Sequence, residues 1–183
     1  MTAIEKKKIE IDDLLELDTG IITPYRIIKF MSRENQEENE KENELVCILG
    51  HGLGQNPKNK THLDGGTSKI ILSGLETSNL SFDVISYTAR GHGECTGWQE
   101  SAATDLGQFT WPNLAQDMIA VTNKFLYKNV ILGGSSMGAA TSFYAAAAHP
   151  DRIKALLLTI PPTGWEQRVA VEKIFRKKQK KFV

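Results

Sequence analysis

At 183 residues, with 40% hydrophobic and 24% charged side chains, the chain has the size and composition of one globular domain, 1–183. Its 22 basic and 22 acidic residues cancel, which argues against nucleic acid or an anionic membrane as the main partner. No stretch approaches the roughly 18 uninterrupted apolar residues of a spanning helix, and folding at this size buries roughly 70% of the extended-chain surface, enough for a core without disulfides or metal.

Cys47 and Cys95 make no disulfide framework, and Met1 to Glu10 alternates charges where a signal peptide would carry an apolar run. The expectation is a soluble protein in a reducing, cytoplasmic setting. Glu5 to Asp18 mixes charges with Ile9, Ile11, Leu14, Leu15 and Leu17. The isoleucines alternate as in a strand and the leucines suit a helix, so the pattern leaves both open. Tyr25 to Phe30, short, apolar and preceded by Pro24, predicts a strand. Arg33 to Glu44 is rich in Asn and Glu; too polar for a core, it reads as a solvated low-complexity loop, 33–44.

From Leu45 the texture changes. Leu45 to Leu49 is a continuous apolar run ended by Gly50-His51-Gly52-Leu53-Gly54, which predicts a strand buried on both faces. The pattern recurs at Phe82 to Tyr87 before Arg90-Gly91-His92-Gly93, at Val130 to Leu132 before Gly133-Gly134, and at Ala155 to Ile160 before Pro161-Pro162. Helical patterns lie between these runs, at Ser68 to Leu75, Leu114 to Phe125 and the alanine-rich Met137 to Ala148. Strand alternating with helix predicts a three-layer α/β domain around a mostly parallel sheet. Ligand chemistry in such sheets sits at the carboxyl ends of the strands, where these glycine turns fall.

Gly134-Ser135-Ser136-Met137-Gly138 fits G-x-S-x-G, the tight strand-to-helix turn that exposes a serine hydroxyl. Only Ser136 has glycines at both required offsets; with Ser135 as the centre, the final glycine would fall on Met137. The pattern alone arises by chance in roughly 6% of chains of this length, but here it lies between an apolar strand and a long helix, the context it requires. Acyl transfer also needs two N–H donors aimed at the developing oxyanion, one after the nucleophile and one from an upstream strand-end loop. Met137 and Leu53 occupy those positions, and His51, just before that loop, reads as a bracing residue.

The ordered set of His51-Gly52, Ala89-Arg90-Gly91-His92-Gly93, Trp111-Pro112-Asn113-Leu114 opening a helix, the Ser136 turn, and His149-Pro150-Asp151-Arg152-Ile153 before Ala155 to Leu158 resembles the α/β-hydrolase superfamily over about Leu45 to Arg168. Ile160-Pro161-Pro162-Thr163-Gly164-Trp165-Glu166 looks like esterase- and lactonase-type members, in which a cap begins here; 165–181 would start that cap or form a terminal helix. The resemblance implies hydrolysis of an ester, lactone or thioester through an acyl-serine on Ser136. Leu53 and Met137 would form the oxyanion hole, with His51, Gly52, Gly134 and Gly138 supporting loop and elbow. No cofactor or metal is implied.

Thr88 stands where the family commonly carries Asp, and Cys95 where a serine is often seen, which puts the bracing of that loop in doubt. In the family the acid follows the seventh strand and the base histidine the eighth. Here one segment, Glu166 to Val183, follows the sixth strand, and no histidine follows His149. The expectation is therefore a truncated domain lacking the last two strands, with no base or acid identified and with impaired activity. Its alternative is a non-catalytic hydrolase-like protein, or the N-terminal part of a longer hydrolase. Ala155 to Ile160 would then be an exposed sheet edge open to self-association, or be covered by Trp165 to Lys181. A Rossmann fingerprint fails at Gln55, and Cys47-x3-His51 with His92-x2-Cys95 is not a standard zinc spacing. The basic run Arg176 to Lys181 reads as the solvated face of a terminal helix.

Overall fold

The computed structural model describes residues 7–31, 45–53, 66–77, 82–99 and 106–162. The low-complexity tract at 33–44 and the cap or terminal helix at 165–181, with its basic run, lie outside the described residues.

The segment that left strand and helix open forms strand β1, Lys7–Glu16, antiparallel to β2, Ile22–Met31. Cross-strand partners explain the outcome. Ile11 lies opposite Ile27, and Asp12 lies opposite Arg26, accepting its Nε–H and Nη2–H at 2.6 and 2.8 Å. The β2 strand begins three residues before Tyr25 and takes in Pro24, whose carbonyl accepts the Thr88 N–H at 3.0 Å.

Strands β3 (Leu45–Gly50), β4 (Asp83–Tyr87), β5 (Asn129–Ser135) and β6 (Ile153–Thr159) complete a sheet of order β1-β2-β4-β3-β5-β6. β2 pairs antiparallel with β4, whereas β4-β3, β3-β5 and β5-β6 are parallel. Alternation along the strands sorts the core into two layers. Val46, Ile48, Ile85, Val130 and Leu132 face one side; Cys47, Leu49, Val84, Ile28 and Phe30 face the other. Helices α2 (Trp111–Lys124) and α3 (Met137–Ala148) bring Leu114, Met118, Val121, Met137 and Ala145 to the first face, and α1 (Gly66–Thr77) brings Leu72 to the second. The three-layer, mostly parallel arrangement is that of the α/β-hydrolase type.

α2 starts three residues before its apolar pattern because Pro112 fits the first turn, where no N–H is needed. β6 runs two residues earlier than its apolar run suggests and ends before Ile160, which turns away at φ 47° ahead of Pro161. Among the described residues β6 pairs with β5 alone and so forms the sheet edge, with Leu157 37% and Ile160 78% exposed.

Candidate functional site

The parallel strands β3 and β5 lie side by side with Gly50 opposite Gly134, so the turns that follow them share one end of the sheet. At that end the backbone passes too closely for side chains. A Cβ on Gly138 or on Gly134 would collide with the Gly50 carbonyl, which explains the small residues on both sides of the serine. The approach is locked by the Gly138 N–H donating to His51 O at 2.9 Å and by the Ser136 N–H donating to Thr159 O at 3.0 Å. Buried Ser142, one turn into α3, lies with Oγ 2.9 Å from Gly133 O and 2.8 Å from Gly138 O, sharing one proton between strand end and helix start.

Ser136 itself has φ 51° and ψ −105°, a backbone region that L-residues rarely adopt. It is one of two described non-glycine residues at positive φ. Strain of this kind, over-determined by close-packed surroundings, concentrates at functional sites. Met137, as the first residue of α3, has an N–H without an intrahelical acceptor, at the positive end of the helix dipole. Ser136, Met137 and Leu53 line one cavity of about 450 Å³, together with His92, Trp98 and Trp111 among others.

Two histidines stand beside each other at this end, with ring centroids 4.8 Å apart. His51 is 3% exposed and fully engaged: Nδ1 lies 3.0 Å from Gly52 O, a pure acceptor, so it carries the proton, and Nε2 accepts the Ala89 N–H at 3.0 Å. The His51 ring thus ties the β3 loop to the β4 loop. His92 has Nδ1 3.1 Å from Arg90 O, which fixes the Nδ1–H tautomer and leaves Nε2 as the basic nitrogen. The sequence identified no base; the fold places His92, from the Arg90-Gly91-His92-Gly93 turn, on the cavity that holds Ser136. His149, at the far end of α3, lies away from this cavity, and His62 is outside the described residues.

The β4 loop is braced despite Thr88 and Cys95. Thr23 Oγ1 donates to Thr88 O at 2.6 Å, and the indole N–H of Trp98 donates to Cys95 O at 2.8 Å. Arg90 grips Asp117 of α2 in a bidentate pair, Nε to Oδ2 at 2.5 Å and Nη2 to Oδ1 at 2.6 Å, and Thr19 adds a hydroxyl at 2.9 Å. Those hydrogen bonds to Asp117 hold the guanidinium firmly in its charged form. Neither cysteine offers a nucleophile: burial pushes the Cys47 thiol up to about 12, and burial with the Asp117 charge pushes Cys95 up to about 12. Among the described residues, no group of three His, Cys, Asp or Glu side chains could hold a metal ion, and no helix is long and apolar enough to cross a membrane.

A mixed sheet with its chemistry-bearing turns at the carboxyl ends of parallel strands, and a strained serine between strand and helix, defines the hydrolase class of α/β proteins. The chain belongs to the alpha/beta hydrolase fold family, whose model matches residues 47–178. No curated protein sequence matches it. Among solved structures it is similar to epoxide hydrolase A from Mycobacterium thermoresistibile, with TM-score 0.60 and 16% identity over 91% of this chain and 45% of that one. An epoxide hydrolase from Vigna radiata superposes with TM-score 0.56 and 16% identity over 84% of this chain and 38% of that one. Alpha/beta hydrolase domain-containing protein 10 from mouse gives TM-score 0.55 and 18% identity, covering 81% and 48%. The chain thus spans less than half the length of each of these structures.

Proposed function

We propose that the chain is a serine hydrolase acting on carboxylic esters, lactones or thioesters through an acyl-serine on Ser136. The observation that carries this reading is the positive-φ backbone of Ser136 on a glycine-walled strand-to-helix turn that opens on a cavity. Ser136 Oγ attacks the acyl carbon, and the N–H groups of Leu53 and Met137 receive the negative charge that develops on the carbonyl oxygen. The leaving alcohol or thiol departs with a proton, and water then cleaves the acyl-serine. His92, which lines the same cavity and keeps Nε2 as its acceptor nitrogen, is the residue to which we assign the serine proton and its return to the leaving group. His51, with both ring nitrogens engaged, supports the loop, and Gly134 and Gly138 support the close passage of the backbone; at Gly52 a Cβ would meet only ordinary contacts, 3.6 Å from Ser135 O and 3.8 Å from Ser136 Cβ.

The chemistry of serine favours acyl substrates over the epoxides named for two of the solved structures. A serine that opened an epoxide would become an alkyl ether, with no carbonyl for water to attack, whereas an acyl-serine turns over. The free, buried thiols of Cys47 and Cys95 favour a cytoplasmic setting. Stopped-flow mixing with a nitrophenyl ester tests the reading: a burst of nitrophenol followed by slower turnover is expected, and Ser136→Ala abolishes both. Turnover unchanged in Ser136→Ala would refute it.

A further inference from the structure

The cavity beside Ser136 has walls of a particular kind. Leu53, Trp98, Phe109, Trp111, Leu114 and Met137 line it, and its volume of about 450 Å³ falls within the range of small-molecule sites. These walls are held in place. The Trp98 indole is pinned by its hydrogen bond to Cys95 O at 2.8 Å and meets Phe109 edge to face, with centroids 5.5 Å apart and planes at 71°. Phe109 in turn lies directly over Gly91, where a Cβ would come 2.7 Å from its ring. Trp111 is stacked on Tyr144 at an interplanar angle of 18°.

Among the described residues of the lining, the one guanidinium is already neutralised. Arg90 reaches the cavity, but its Nε and Nη2 are committed to Asp117 and its Nη1 lies 3.4 Å from Gln108 O. Against these described residues a carboxylate or phosphate would lose its hydration without gaining a guanidinium that is not already paired, whereas a methylene or aryl group would gain apolar contact.

We propose that this cavity selects an uncharged apolar acyl group of medium length or an arylacetyl group, over acetyl and over acyl groups bearing a charge. The proposal rests on the serine-hydrolase reading of Ser136. It is tested with 4-nitrophenyl esters that share one leaving group: acetate, butyrate, hexanoate, phenylacetate, the succinate half-ester and 4-aminobutyrate. The expected kcat/KM rises by roughly fourfold per methylene buried, phenylacetate exceeds acetate by at least about tenfold, and both charged esters fall below butyrate. Phe109→Leu and Trp98→Phe, checked for unchanged melting, are expected to reduce the phenylacetate-to-acetate ratio by about threefold or more. A Ser136-dependent activity that is flat across the series, or that prefers acetate or a charged ester, overturns this inference and leaves the serine reading standing. The absence of Ser136-dependent hydrolysis of every ester overturns the serine reading and this inference with it.

Discussion

Ser136 occupies a backbone conformation that costs free energy, on the order of 1–3 kcal/mol for a strained non-glycine residue, and glycines on either side make that conformation attainable. That cost is offset by hydrogen bonds from Ser136 to Thr159 and from Gly138 to His51 that fasten both sides of the turn. The glycine spacing made this turn legible before any coordinates, because only residues without Cβ can pass so close. His92 was not legible in the same way. Nothing in Arg90-Gly91-His92-Gly93 says which way the loop presents its ring, and that follows only from the Arg90 carbonyl at Nδ1 and the neighbouring His51 ring. If Nε2 of His92 takes the serine proton, His92→Ala lowers kcat by about 10² to 10⁴ and added imidazole restores part of the loss without changing the melting temperature. A loss that imidazole leaves untouched would assign His92 to loop structure.

At the scale of elements, apolar runs ending in glycine located the three inner strands β3, β4 and β5, since strands buried on both faces need no alternation, and the run ending in Pro161-Pro162 located β6. β1 resisted because it is an outer strand: Asp12 and Ile11 are opposed by Arg26 and Ile27, 14 and 16 positions away and outside the local pattern being read. Helix α2 was found late by three residues because Trp111 and Pro112 enter the helix through capping geometry and not through apolar periodicity. β6 at the opposite edge has consequences for association. Leu157 is 37% exposed there, on a strand that among the described strands pairs with β5 alone, and we propose that two copies pair along it. Sedimentation velocity between 1 and 100 µM is expected to show a concentration-dependent dimer that Leu157→Lys weakens. A monomer throughout that range in the wild type would contradict this.

The molecule as a whole couples its stability to groups that must stay neutral. The buried thiols of Cys47 and Cys95 are pushed up to about 12, chiefly by burial, and the Tyr87 hydroxyl is also raised, chiefly by burial. Each favours the neutral form when folded. Their contribution is therefore complete below the unfolded thiol value of about 8.5 and is lost as pH rises from there toward 12. Urea midpoints are expected to hold between pH 7 and 8 and to fall above pH 9, with a shallower fall in Cys47→Ala; a midpoint that rises with alkalinity would contradict the burial of these groups.

The family was legible from motif order, since five pieces in sequence constrain a topology far more tightly than any one alone. The cavity beside Ser136 was not, because Trp98, Phe109 and Trp111 come from separate segments and meet only through the β4 loop, a 3₁₀ turn at Leu106–Phe109 and α2. The central claim concerns one atom, Ser136 Oγ. Intact-mass analysis after treatment with a fluorophosphonate tests it most directly. The account predicts a single adduct, mapped by peptide sequencing to Ser136 and absent from Ser136→Ala, while an unlabelled wild-type chain, or an adduct on another residue, would contradict it.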